Sequence, residues 1–314
     1  MLMPSIGYLL IACFLMMAPF YVSDYVLSVL ILTFYMAYLG QAWNLLLGFA
    51  GQLSFGHALY VGMGSYFAAW SFIHGGYSPW LSWFPIMMVC GLWGASIGFL
   101  GFRFKVEGPY FTVLTIAFAE CGRLFFEHIE IFGGNAGLFL PIASKTDIGT
   151  LQGGPFLFYY IFLGLVLIGL GISYLFVHSR LGYFSQAVRD HEVAAQSLGL
   201  STFWIKVTVM GLSAALTSIG GVFYAFYQTS LFPDQVFALT RSIELIVGAI
   251  VGGVGTLGGP VIGALILVPL GEMLSHFFGD SLSSIKPLFY GIILLFMVFY
   301  APQGIWPFLR NKNR

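Results

Sequence analysis

Residues Gly252 to Pro260 read GGVGTLGGP, and Gly253, Gly255 and Gly258 fall on the spacing G-x-G-x-x-G. In a dinucleotide fold such glycines let the backbone cradle a pyrophosphate, and an acid about twenty residues on, where Glu272 stands, holds the ribose. That chemistry needs a strand before the glycines and a helix after them, in the sheet of a soluble βαβ unit. Here the flanks are LIVGAIV and VIGALILVPL, both apolar, so a phosphate would face lipid or packed helices. Two readings remain: close packing of membrane helices through glycine, or a helix broken where it lines a substrate path. Because each glycine costs a helix interior about 1 kcal/mol against alanine, so dense a run favours the break.

Asn44 to Gly64 repeats the pattern, with an apolar helix, a glycine-rich stretch carrying Gln52, Ser54 and His57, and helix again. Two such segments in the two halves hint at an internal duplication. Asn44, Gln52 and His57 are candidates for the path, with interhelical hydrogen bonding as the alternative. Ionisable groups at membrane depth are costly and point to function, which adds Glu120 and Glu244; each also has an arginine three residues away on its helix face, Arg123 and Arg241. Asn135, in GGNAGL, is a candidate external gate. Cys13, Cys90 and Cys121 lie far apart, and no His, Cys, Asp and Glu grouping has the spacing of a metal site or an acid–base pair. No catalytic residue, metal or cofactor is expected.

The elements that must hold these residues follow from charge. Only 8% of the 314 residues are charged and 59% are hydrophobic, against about a quarter charged in soluble domains. From Tyr25 to Phe102, 78 residues pass without Asp, Glu, Lys or Arg, and further charge-free runs cover 148–179, 207–233, 245–271 and 287–309. Each exceeds the ~20 residues that cross a bilayer as helix, and none alternates as a barrel strand does. The expected fold is an all-α polytopic transmembrane bundle, one membrane domain over 1–314, with about ten segments near 6–21, 26–47, 57–73, 80–101, 111–127, 155–178, 204–228, 241–256, 260–278 and 286–301. The first is read as a retained helix, since no Lys or Arg precedes it as in a cleaved signal. With both termini cytoplasmic, eight of the twelve basic residues lie inside. Zero net charge leaves no footprint for nucleic acid.

The remaining informative stretch is Arg180 to Leu200, RLGYFSQAVRDHEVAAQSLGL, in a cytoplasmic loop of about 180–203. Asp190 is placed to cap a short helix, Glu192 sits at the favourable end of its dipole, and Gly199 ends it. Such a helix, with Ala194 and Ala195 permitting close approach, suits docking into a partner's groove; an ordinary solvated loop is the alternative.

The pattern Glu192-x-Ala194-Ala195-x-x-x-Gly199 resembles the coupling loop of ABC importer permeases. NLLLGFAGQLSFGHALYVGMGSYFAA, VEGPYFTVLTIAFAE, GGNAGL, VRDHEVAAQSLGL and SIELIVGAIVGGVGTLGGPVIGA, in that order, resemble the branched-chain amino acid permease family of the LivM type, over about Leu39 to Leu270. The resemblance implies a bacterial inner-membrane subunit working by alternating access. It would pair with a second related permease, two cytoplasmic ABC ATPases and a periplasmic substrate-binding protein. Arg189 to Gly199 would be the coupling element, with the Ala194–Ala195 face inserted and Arg189 and Glu192 as anchors. A missing G-x-x-x-x-G-K-[ST] phosphate loop agrees with borrowed power. Permeases for urea, amides or other amino acids share the motifs. A secondary transporter or channel is the alternative of another class; it would leave the loop unexplained.

Overall fold

The computed structural model describes residues 15–141, 149–278, 285–301 and 304–306, with backbone alone for 276–278, 285–287 and 298. Its helices are α1 (Asp24–Asn44), α2 (His57–Gly75), α3 (Pro79–Arg103), α4 (Pro109–His128), α5 (Pro155–Val177), α6 (Arg180–Asp190), α7 (Glu192–Ser197), α8 (Thr202–Gln228), the single turn α9 (Pro233–Val236), α10 (Leu239–Gly252), α11 (Gly259–Phe278) and α12 (Ile285–Tyr300). Proline opens α3, α4 and α5, where its missing N–H is one the helix leaves unpaired anyway. Two-residue strands, β1 (Leu138–Phe139) and β2 (Ser230–Leu231), pair antiparallel.

Helices occupy the expected positions from 26–47 onward, yet ten membrane segments is an overcount. Among the described residues five spans are long and apolar enough to cross a bilayer: Asp24–Phe49, Pro79–Arg103, Pro155–Val177, Thr202–Gln228 and Pro233–Gly252. Helix α2 is diluted by His, Gly, Ser and Tyr, and α4 carries Glu120, Arg123 and Glu127. Apolar stretches in the last two helices are shorter, Gly259–Ser275 and Leu288–Met297. Most of the expected first helix, with Cys13, lies outside the described residues, as do Lys145, Arg310, Lys312, Arg314 and the Lys286 side chain.

Burial sorts the helices. In α1 and α8, 72% and 78% of the most apolar window is buried, against 33% and 39% in α3 and α5, so the first two form the core and the others its outer wall. Small residues draw the wall in: a Cβ at Gly94 of α3 would overlap Ala214 of α8, and one at Gly263 of α11 would strike the Gly248 carbonyl of α10. Lipid offers no hydrophobic drive between helices, so such close approach is what holds them. Arg103, Lys105, Arg189 and Lys206 gather with α6 and α7 at one end. The β pair and the Arg123–Asp234 ion pair mark the other. This distribution agrees with the basic residues facing the cytoplasm.

Candidate functional site

Both glycine-rich segments are breaks, and they meet. After Asn44 the first helix widens into a π-helical turn, Leu45–Phe49, a distortion common where a helix serves function. The chain then runs irregularly to His57, partly buried, with protein groups satisfying its backbone. Trp43 Nε1 donates to the Ser54 carbonyl at 2.8 Å, Thr112 Oγ1 to the Leu53 carbonyl at 3.2 Å, and the Phe55 and Ala58 amides to Thr115 and Ser242 hydroxyls at 3.1 and 3.0 Å. The second break, between α10 and α11, follows helix and not strand, so the dinucleotide geometry is absent there.

Asn44, 1% exposed, joins them: its Oδ1 accepts from the Gly255 amide at 2.8 Å and its Nδ2 donates to the Thr256 carbonyl at 2.9 Å. Gly255 has φ +75°, a conformation that favours glycine, and a Cβ there would press on the Gly48 carbonyl and on Arg189. Gly253, φ +123°, lies against Gly304, and Gly258 against Trp306. The glycines thus make close contacts, and the helix is interrupted among them.

A third element reaches the junction. Arg189, near the end of α6, donates from Nη1 to the Gly48 carbonyl at 2.5 Å and lays its stem on Gly51. Its guanidinium also binds the Asp190 carboxylate at 2.9 Å. One side chain of the surface loop therefore sits between the two breaks.

The loop differs from the expected single helix. It bends at His191 (φ −154°) into α6 and α7, and His191, without a side-chain cap bond, occupies the N-cap; Asp190 ends α6 and caps nothing. Glu192 opens α7 and accepts from Lys206 Nζ at 2.5 Å. Ala195 is 2% exposed, packed with Val188 and Ile205, so the Ala194–Ala195 pair is not one outward face. Ala194 is exposed, with Val193 at 77% and Leu198 at 82%. Gly199, φ +83°, does end the helix, its amide donating to the Gln196 carbonyl at 2.9 Å.

The other candidates are dispersed. His57, fully buried, shares a 2.9 Å bond from Nε2 with Ser213 Oγ, which donates to the Ala42 carbonyl at 2.7 Å. Ser213 must then accept from the ring, so Nε2 carries the proton and Nδ1, unpartnered, is bare. Gln52, half-buried, donates to the Ala50 carbonyl at 3.2 Å and joins nothing distant. Glu120 accepts from Arg123 at 2.6 Å, and Arg123 also binds Glu127 and Asp234. Glu244 lies 3.7 Å from Arg241. Asn135 is exposed on the turn Gly134–Ala136, apart from both breaks.

Sequence reasoning passed over Thr256 and Ser213, whose partners lie 212 and 156 positions away and leave no local sign. Glu272 was recognisable as a lone carboxylate in an apolar helix; it lines a cavity with Arg241 and Glu244.

Broken helices inside an apolar bundle, joined to a surface helix pair with bare apolar side chains, are the architecture of a multi-pass membrane transport subunit. The comparisons agree: the family described as branched-chain amino acid transport system / permease component matches residues 25–298, and the chain belongs to that family. It is similar to the high-affinity branched-chain amino acid transport system permease protein LivM of Escherichia coli, 30% identical over 321 aligned positions that cover 94% of this chain and 73% of the relative. BraD of Pseudomonas aeruginosa, named for the same kind of system, is 22% identical over 86% of this chain and 90% of its own length. The galactose/methyl galactoside import permease MglC of Treponema pallidum is 24% identical over 66% and 39%. No solved structure matches the chain. The protein is thus a permease subunit of an ABC-type importer in the inner membrane, a transport component and not an enzyme.

Proposed function

We propose that the chain carries branched-chain amino acids through the inner membrane by alternating access, together with a second related permease. Two cytoplasmic ABC ATPases drive it and a periplasmic binding protein delivers the substrate. The observation that carries this reading is the Arg189 junction. An element fit for docking a partner, α6–α7 with Val193, Ala194 and Leu198 bare, is hydrogen-bonded straight onto the break at Gly48, and Asn44 extends the link to Gly255. Movement of the docked pair would reach both breaks without passing through any flexible loop.

In this account Arg189, Asp190, Glu192, Ala194, Ala195 and Gly199 build the coupling element. Asn44, Gly253, Gly255 and Gly258 form its junction with the path. His57 and Gln52 lie along the first break, Glu120 and Glu244 along the path, and Asn135 meets the binding protein or gates the outer mouth. The permease supplies two packings of different stability for bound nucleotide to choose between. The amino-acid substrate rests on the LivM and BraD similarities, which outrank the sugar permease in coverage. Uptake of labelled L-leucine, L-valine and D-galactose into vesicles holding the complete importer tests it. Leucine and valine are expected to accumulate with ATP; accumulation of galactose alone overturns the substrate.

A further inference from the structure

Where α3 ends and α8 begins, at the basic end of the bundle, lies a cavity of 520 Å³ whose lining includes Arg103, Lys105, Glu107, Glu192, Thr202 and Lys206. The two spans beside it, Pro79–Arg103 and Thr202–Gln228, stop there, so it sits at the depth where hydrocarbon gives way to head groups. Lys206, its side chain 4% exposed, is neutralised by Glu192 at 2.5 Å and lies over the Phe102 ring. Among the described residues Arg103, Lys105 and Glu107 form no ion pair. Two cations against one carboxylate leave the cavity suited to an anion.

Lys105 stands there against its backbone preference. It has φ +55° in the turn that closes α3, where its amide donates to the Phe102 carbonyl at 3.2 Å and the Val106 amide to the Gly101 carbonyl at 2.9 Å. Such a turn ordinarily takes glycine at this position, and a long side chain in that conformation points to a use for the side chain. The cavity also continues onto the outer wall of the bundle. Phe203, in its lining, packs against Phe99 and Trp204 with ring centroids 5.4 and 5.1 Å apart. Both of those rings are exposed, as is Phe104 next to Lys105 in the chain. Phe99 belongs to the α3 span, so lipid covers it, and a lipid whose tail lies there has its head group at the cavity. Basic pockets between helix ends on the cytoplasmic side suit such head groups.

We propose that this cavity holds the head group of an anionic phospholipid of the cytoplasmic leaflet, its phosphate at Arg103 and Lys105 and its acyl chains along Phe99 and Trp204. Val193 and Gln196 of α7 line the same cavity, so the bound lipid ties the surface helix pair to the leaflet. The site goes beyond the import reading and stands whichever solute the permease carries.

The test uses the purified importer, stripped of lipid in detergent and titrated with dioleoylphosphatidylglycerol, dioleoylphosphatidylcholine or inorganic phosphate while the permease's unfolding midpoint is followed. Phosphatidylglycerol is expected to raise the midpoint about 4 °C further than either of the others. Arg103→Gln combined with Lys105→Gly should abolish that difference, and Arg103→Lys should keep it. Lys105→Gly alone should weaken the response to phosphatidylglycerol while its lipid-free midpoint stays at or above native, because glycine fits the turn. Equal shifts with phosphatidylglycerol and phosphatidylcholine overturn the anionic head group. A shift with inorganic phosphate as large as with phosphatidylglycerol leaves a free-anion site and overturns the lipid. A difference retained in the double variant overturns the assignment to this cavity. Loss of the ATPase from the double variant in lipid-free detergent makes the cavity a protein contact and overturns it too.

Discussion

Arg189→Ala removes a side chain by which the surface helix pair touches the first helix break. Its bond to the Gly48 carbonyl is charge-assisted, and such bonds contribute about 1.5–3 kcal/mol. With the side chain 35% exposed, solvent replaces part of that, and the lower figure applies. If the contact belongs to one of two transport states, losing ~1.5 kcal/mol shifts their balance about tenfold. The expected phenotype is uncoupling. ATP hydrolysis by the assembled importer continues within about twofold of native while substrate moved per ATP falls roughly tenfold. Arg189→Lys should fall between, since an ammonium reaches the carbonyl but lacks the fork that also holds Asp190. Paired measurements of phosphate release and labelled-substrate uptake in vesicles read the ratio. An unchanged ratio in Arg189→Ala would refute the reasoning, because the junction would then carry no conformational energy.

Burial and contact set three further expectations. Val193→Asp and Leu198→Asp, both at exposed positions, should abolish copurification of the ATPase and leave the permease's thermal unfolding midpoint within about a degree, whereas Ala195→Asp, buried against Val188 and Ile205, should lower the midpoint itself. Asn44→Leu strips two bonds, leaving the Gly255 amide and Thr256 carbonyl unpaired at a cost of about 1–3 kcal/mol each; it should increase proteolysis between α10 and α11 measurably, and resistance equal to native would count against the clamp. Gly64→Leu forces a side chain into the Ser218 carbonyl of α8; overpacking of this kind costs about 1–3 kcal/mol, to be read as a lowered unfolding midpoint in detergent.

The sequence disclosed what depends on composition and local punctuation. Charge-free runs located most of the long helices, and Gly199 marked the end of α7. The ion pairs offered as alternatives for Glu120 and Glu244 both form. What failed depended on neighbours. Asp190 looked like a cap, but Arg189 competes for its carboxylate, and the chain bends one residue later. Ala195 looked outward because alanine gives no sign of which face it takes; only Val188 and Ile205 decide it. The segment count failed because apolar length does not separate a helix that crosses alone from one carried by its bundle, as α2 and α4 are. The junction itself was invisible, since Asn44 and Gly255 are separated by 211 positions.

The central claim is that this bundle has no motor of its own and is moved through α6–α7 by an ATP-hydrolysing partner. The most direct measurement is the accumulation of labelled branched-chain amino acid in vesicles holding the complete importer with its binding protein, against vesicles holding this chain alone. The account predicts ATP-dependent accumulation in the first and only equilibration at the background rate in the second. Accumulation by the chain alone, at a rate comparable to the complete importer, would contradict it.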